Sequence, residues 1–370
     1  MPFIFGENKM SDIEYVKVTN IPQWKISSDS GIETRTFPSD TFSEERWVFL
    51  TDNEQKLWDK IFSNILPLND DQIAEPFTGV QSSNDSVYVI REWKQKGKYI
   101  EFTDMNGVKR EIEKTILKPY LLRGNRGFTT FKSFETKKAD GWIIFPYVVK
   151  DAKSEIISKS ELKSKFPKAW KYLNSFKQEL STRDLRGNST DWYRFGRGSA
   201  PTAESPKIIA GVLFKEERYI YDTNKIYFQT GDTAGYVGIK IREKSPYSIF
   251  YILGILNHIV LEWTASKMAS TFEGNYIAHG QTLLRDLPIK KINFKDKKEK
   301  KQHDEIVKLV KDLINLHKNL KQAKTPRNEQ KILNDISSKR TTLEKTINAL
   351  YDIQSLIKYA EINETKKYND

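Results

Sequence analysis

The sequence contains no cysteine. Disulfides and thiolate metal sites are excluded, and a reducing, cytoplasmic setting is permitted. Histidine is nearly as scarce. His258, His279, His303 and His317 lie on separate segments, which argues against a histidine metal cluster. Long apolar runs are also missing. The longest, Tyr247 to Val260, is interrupted by Ser248, Gly254, Asn257 and His258, too short and polar to cross a bilayer, so no membrane partner is expected. Met1 to Met10 has no basic segment followed by an apolar one and does not read as a secretory signal. A phosphate-binding loop of the Gly-x4-Gly-Lys-Ser/Thr kind is absent.

What is present is a chain of 370 residues, enough for two domains or for one large domain with an appendage. Hydrophobic residues make up only 38% and charged ones 30%, but aromatics at 12% still allow a real core. Lysine and arginine outnumber aspartate and glutamate by 61 to 49, a net charge of +12. Such an excess suits a polyanionic partner.

Periodicity divides the chain into four parts. Residues 1–75 form a lead-in: Leu57, Trp58, Ile61, Phe62 and Ile65 follow Asp52-Asn53-Glu54 with helical spacing. Trp24-Lys25-Ile26 and Trp47 to Leu50 read as short extended segments, and Ser27 to Ser43 as loop. Residues 76–290 are dominated by short β-like runs. These are Ser86–Ile90, Lys98–Phe102 with an Asn106-Gly107 turn into Val108–Ile112, Trp142–Val149, Lys207–Phe214, Arg218–Tyr221, Ile226–Phe228 and Tyr236–Ile241. Helices are inserted at Ser160–Ser164, from Pro167 onward, and at Ser248–Trp263. Residues 291–360 open with a lysine run and continue with Ile306, Leu309 or Val310, Leu313, Leu316 and Leu320 at intervals of three and four; after a break at Thr325-Pro326, Ile332, Ile336, Leu343, Ile347, Leu350 and Ile357 carry the pattern on. This predicts an antiparallel, coiled-coil-like helical hairpin. Residues 361–370 read as a frayed tail. The fold class expected is α+β: a mixed, mainly β domain with inserted helices, followed by the hairpin.

Short signatures recur in a fixed order. They are Thr78-Gly79-Val80-Gln81, Lys118-Pro119-Tyr120-Leu121-Leu122-Arg123-Gly124, Trp142 to Tyr147, Trp192-Tyr193, Pro206-Lys207-Ile208-Ile209, Gly254 to Asn257 and Leu287-Pro288-Ile289. In this order and at these intervals they resemble the DNA target-recognition region that follows the catalytic domain in adenine-specific DNA methyltransferases. TaqI-like specificity domains and fused restriction–modification enzymes are the relatives in view. The resemblance runs from Trp24 into the helical hairpin. It departs at Ser82-Ser83, where the family usually repeats Thr-Gly, and at Asn125-Arg126, where many members have Arg-Asp. The second departure falls in a recognition loop, so a target sequence cannot be borrowed.

The resemblance implies duplex DNA as partner. It also implies a catalytic methyltransferase or restriction subunit or domain that would use S-adenosylmethionine, and Mg where cleavage occurs. This chain lacks the catalytic signature: no Asn-Pro-Pro or Asp-Pro-Pro precedes an aromatic residue, and Pro119-Tyr120, Pro146-Tyr147 and Pro246-Tyr247 stand alone. No cofactor is expected in this chain.

Base reading needs arginine for guanine and asparagine or glutamine for adenine, while arginine, lysine and hydroxyls anchor phosphate. By resemblance, Arg123, Trp192, Tyr193, Arg194 and Lys207 are DNA contacts. The arginine- and glycine-bearing segments around them add Asn125, Arg126, Arg183, Arg186 and Arg197. Tyr120, Pro146 and Tyr147 are assigned to packing, and packing also competes for Trp192 and Tyr193. Two rival readings remain. Asp85, Glu92 and Lys94 fit the Asp…Glu-x-Lys pattern of a metal-dependent nuclease. The hairpin alone could serve an assembly or specificity subunit.

Overall fold

The computed structural model describes residues 12–38, 47–122, 139–151, 153–185, 191–212, 219–230, 235–269, 271–272, 276–277 and 280–360. The chain divides into two compact units, Met1–Leu50 and Thr51–Asp370. In the first, strand Asp12–Val18 pairs antiparallel with Ile32–Pro38, and Tyr15 stacks on Phe49 at 4.1 Å. The segment around Trp24 is a helix, Ile21–Ile26, not a strand. Asn20 accepts from the Gln23 amide and proline occupies the first turn, so local capping overrides the aromatic-rich composition. Residues 32–38 form a strand where a loop was expected, because cross-strand pairing outweighs their polar composition.

The second unit opens with helix Asp52–Phe62. Thr51 and Glu54 form a capping box, and Leu57 and Ile61 face inward. Its main sheet is antiparallel, in the order Tyr219–Asp222, Lys207–Gly211, Tyr236–Ile241, Ala74–Thr78. A second sheet sets Tyr227–Phe228 parallel to Leu117–Leu121, followed by Gly141–Ile144 and Val89–Ile90. A three-stranded meander, Trp93–Lys96, Tyr99–Thr103 and Lys109–Glu113, turns at Gly107, whose φ of 76° suits glycine. The run Ser86–Ile90 is divided: Asn84 caps a turn of helix, Asp85–Tyr88, and only Val89–Ile90 is strand.

Helices Lys159–Lys165, Pro167–Ser175 and Lys177–Ser181 follow, the second packed on the meander strand Lys109–Glu113, and bury Leu162, Ala169, Leu173 and Leu180 in one core with Tyr88, Ile143 and Phe145. Pro167 starts its helix without a local side-chain cap. The carboxylate of Glu113 instead accepts from the Lys168 and Ala169 amides, at 2.9 and 3.0 Å.

The single helix expected over Ser248–Trp263 is two, Ile249–Leu256 and Ile259–Met268, bent by 67°. Asn257 ends the first by donating to Leu253 O and Tyr219 O, and His258 caps the second through Val260 N. Among the described residues no single helix is long and apolar enough to cross a membrane, and this bent pair is largely buried.

Helix Ile249–Leu256 lies between the main sheet and the C-terminal hairpin of Lys297–Leu320 and Pro326–Tyr351. Gly254 permits the approach: a Cβ there would sit 2.9 Å from Val310 and 3.1 Å from Ile306. Thr325 caps the second hairpin helix and Pro326 begins it, while Lys339 and Asp312 bridge the two at 2.7 Å. The mixed α+β architecture with C-terminal helices is thus present.

His303 sits at the foot of this hairpin, with its ring 4.7 Å from Tyr251. Its Nε2 accepts from Ser248 N, so the proton lies on Nδ1, which faces Asp304 at 2.9 Å. Burial depresses the imidazole below its usual value against the upward pull of Asp304, with Lys300 adding to the depression. A base depressed by folding binds fewer protons folded than unfolded. Its contribution is therefore complete above about pH 6.5 and is lost as pH falls through the folded value. We expect thermal stability to drop between pH 7.5 and 5.5, by no more than about 1.4 kcal/mol per pH unit for one proton. His303→Gln should flatten that drop, and an unchanged pH profile in the variant would refute the assignment.

Candidate functional site

Two segments far apart in sequence meet beside the second sheet. Thr78-Gly79-Val80-Gln81 leaves the edge of the main sheet and bridges in parallel to Gln229 through Val80. Gly79 is required where the sheets touch, since a Cβ there would lie 2.2 Å from Phe228 O. Gln81 then pairs with the 194–198 segment: Gln81 N donates to Gly198 O at 2.8 Å and Arg197 N to Gln81 O at 3.2 Å. Gly196 N donates to Ser82 O, and its α-carbon leaves no room for a Cβ, which would meet Ser83 Oγ at 2.1 Å.

Between these segments lies a cleft of about 450 Å³ lined by Thr78, Gly79, Tyr147, Arg194, Arg197 and Ser199, among others. None of its described lining residues is acidic. Arg197 is exposed and Arg194 half-buried. Tyr147, expected only to pack, also shapes the cleft. Its hydroxyl accepts from Phe195 N at 2.6 Å and is bonded by Arg194. Burial pushes this phenol up to about 12, so at neutral pH it keeps its proton and cannot act as a base. Ala200, also in the lining, holds a left-handed φ of 50°, a conformation that costs energy for a residue with a Cβ. Two guanidinium groups, several hydroxyls and backbone at the sheet edge make a surface suited to an anionic, hydrogen-bonding ligand.

Of the ten candidate DNA contacts, the structure brings Arg194 and Arg197 together in this cleft. Arg123, Asn125, Arg126 and Arg186 lie outside the described residues. Lys207 is placed differently from its expected role. It is fully buried at the head of a strand whose five residues are all buried, pairs with Asp222, and donates to Ala203 O at 2.6 Å. Burial outweighs the pull of Asp222 and lowers this ammonium from its ordinary value. Arg183 likewise turns inward, spending its donors on backbone carbonyls of Leu180, Ser82, Trp192 and Arg194.

Trp192 and Tyr193 are buried. Trp192 packs on Trp170 at 5.7 Å, and the Tyr193 hydroxyl donates to Ile157 O at 2.9 Å. These four side chains build the frame behind the cleft. The sequence alone does not mark Thr78, Gly79 and Tyr147 as lining. Their signal was the Thr-Gly and Pro-Tyr pairs at strand ends, but only tertiary pairing shows what they face.

Each member of the nuclease-like trio has its own surroundings. Asp85 accepts from Ser82 Oγ at 2.6 Å in the first turn of its short helix. Glu92 and Lys94 are exposed, with Lys94 opposite Glu101 in the meander. Among the described residues no three His, Asp or Glu side chains converge as metal ligands would.

No family model matches the chain. It is 27% identical over 317 residues to the type II restriction enzyme and methyltransferase RM.Eco57I of Escherichia coli. That alignment covers 82% of this chain but only 31% of the relative. The chain is therefore related in sequence to a restriction–modification enzyme and spans about a third of its length.

Proposed function

We propose that this chain is the DNA-reading part of a restriction–modification enzyme, binding duplex DNA and setting the target for a catalytic part carried elsewhere. One observation carries the reading: Arg194 and Arg197 line one cleft whose described lining holds no acidic residue. The basic balance of the whole chain and the likeness to a restriction–modification enzyme agree with it. S-adenosylmethionine chemistry, and Mg-dependent cleavage where it occurs, belong in this reading to the catalytic domain or subunit. The sequence has no Asn/Asp-Pro-Pro-aromatic loop, and among the described residues no three His, Asp or Glu side chains gather as metal ligands would.

The test is equilibrium binding to a labelled random-sequence duplex over a range of salt concentrations. Arg194→Ala and Arg197→Ala should each weaken binding and reduce the salt slope by about 1. If either arginine reads a base, discrimination at one position should fall by about 1–3 kcal/mol in a duplex pool selected with and without a methylase partner. Affinity and slope unchanged in both variants would remove the cleft from the interface.

A further inference from the structure

We infer that Arg183 is a positioning residue of this cleft: it does not meet the ligand but sets where Arg194 stands. The inference rests on the DNA-reading proposal. A guanidinium offers five N–H donors in a rigid plane. Arg183 uses Nε on Leu180 O at 3.0 Å, Nη1 on Ser82 O at 2.6 Å, and Nη2 on both Trp192 O and Arg194 O at 2.8 Å. Its plane lies 5.3 Å from the Tyr88 ring centre. One cation thus ties the end of the Lys177–Ser181 helix to both segments that form the cleft.

The carbonyl of Ser82 accepts from Arg183 and from Gly196 N together, so the two clamps share one atom. Beyond Arg194, the backbone is held again at Phe195 by the Tyr147 hydroxyl and at Arg197 by Gln81 O. The arginine that holds a turn by the carbonyl of Arg194 fixes the root of that side chain. An arginine engaged in this way reaches a phosphate only by surrendering those bonds and stripping a donor from each of these part-buried carbonyls.

The experiment measures binding of a fluorescein-labelled random-sequence duplex by full-length protein. Arg183→Lys and Arg183→Met are compared on the natural background and on Arg194→Ala, with the folded fraction of each confirmed by circular dichroism at the assay temperature. Lysine keeps the charge but cannot span four carbonyls. Both substitutions are expected to weaken binding about tenfold in otherwise folded protein, and by less than about twofold on the Arg194→Ala background, as for coupled neighbours.

Full, additive losses on both backgrounds would mean that Arg183 acts on its own, and would overturn the positioning role. So would folded variants that bind as the natural protein does while Arg194→Ala is impaired; DNA reading would then stand without this inference. If Arg194→Ala and Arg197→Ala leave binding unchanged, the cleft itself is wrongly assigned. Should the methionine variant not fold, the lysine variant decides. Failure of both to fold assigns Arg183 to stability alone.

Discussion

Replacing Lys207 with methionine is expected to destabilise the protein by roughly 3–5 kcal/mol, the cost of leaving one partner of a buried ion pair uncompensated. Both side chains are sealed from water, at 0% and 1% exposure. Lys207 gives its remaining reach to Ala203 O, while Asp222 also accepts from Asn224 N at 2.8 Å and Ile226 N at 3.0 Å. Methionine fills the space of the lysine stem but leaves a carboxylate whose partners among the described residues are two amides. The pair need not be a net source of stability. Burial already lowers the Lys207 ammonium from its ordinary value, so the attraction of Asp222 does not fully offset desolvation. Breaking the pair is costly for a different reason, since the surviving charge has nowhere to go.

Changing both residues, Lys207→Met with Asp222→Asn, should therefore recover much of the loss. It removes the stranded charge and keeps an acceptor for one of the two turn amides, Asn224 N or Ile226 N, which now bond different carboxylate oxygens. Urea titrations with unchanged m-values check both variants. A single-variant loss below about 1 kcal/mol, the range of exposed pairs, would show that water reaches the carboxylate. The effect should extend beyond the pair. Asp222 shapes the turn through Lys225, whose φ is 53°, into strand Tyr227–Phe228, and that strand supplies the carbonyl against which Gly79 packs.

How much of this was legible in the sequence depends on whether the information is local. Strand Tyr236–Ile241 and the hairpin helices were readable, because alternation, heptad-like spacing and the Thr325-Pro326 cap are written within a few residues of where they act. The helix at Asp85–Tyr88 was not, because Val87 and Tyr88 look like strand residues and the deciding group is the Asn84 side chain. Nor was the bend at Asn257, where an asparagine and a histidine inside an apolar run act as helix stop and helix start. The arginine-rich segment 194–197 could be picked out by composition, but composition could not sort its members from Arg183 and Lys207. Arg183 is retained inside by Ser82, about a hundred positions away, and Lys207 by Asp222 across a strand pair. A cation that points inward and one that points outward share the same letters. Only the carbonyls and carboxylates brought to them by folding tell them apart. The signature motifs show the same division, since Trp192, Tyr193 and Lys207, the most distinctive among them, are frame and not surface.

Gly79→Ala is expected to cost 3 kcal/mol or more, above the usual range for inserting a methylene into a packed core. The added Cβ would stand 2.2 Å from Phe228 O and 2.6 Å from the Phe228 ring. A flexible side-chain tip could yield, but a backbone carbonyl that accepts from Val80 N at 2.8 Å cannot move without undoing the bridge between the two sheets. The clash also lies in the wall of the cleft, so under the proposed DNA-reading role affinity for a duplex should fall along with stability in whatever fraction remains folded. Gly280→Ala is the matching control: a Cβ there meets nothing within 4 Å, and the cost should stay at about 1 kcal/mol, that of losing glycine as the cap of helix Gln281–Arg285. Chemical denaturation of the two variants side by side checks the contrast. Equal, small effects at both positions would mean that the sheets separate easily at Gly79, and that the cleft is not held rigid by their junction.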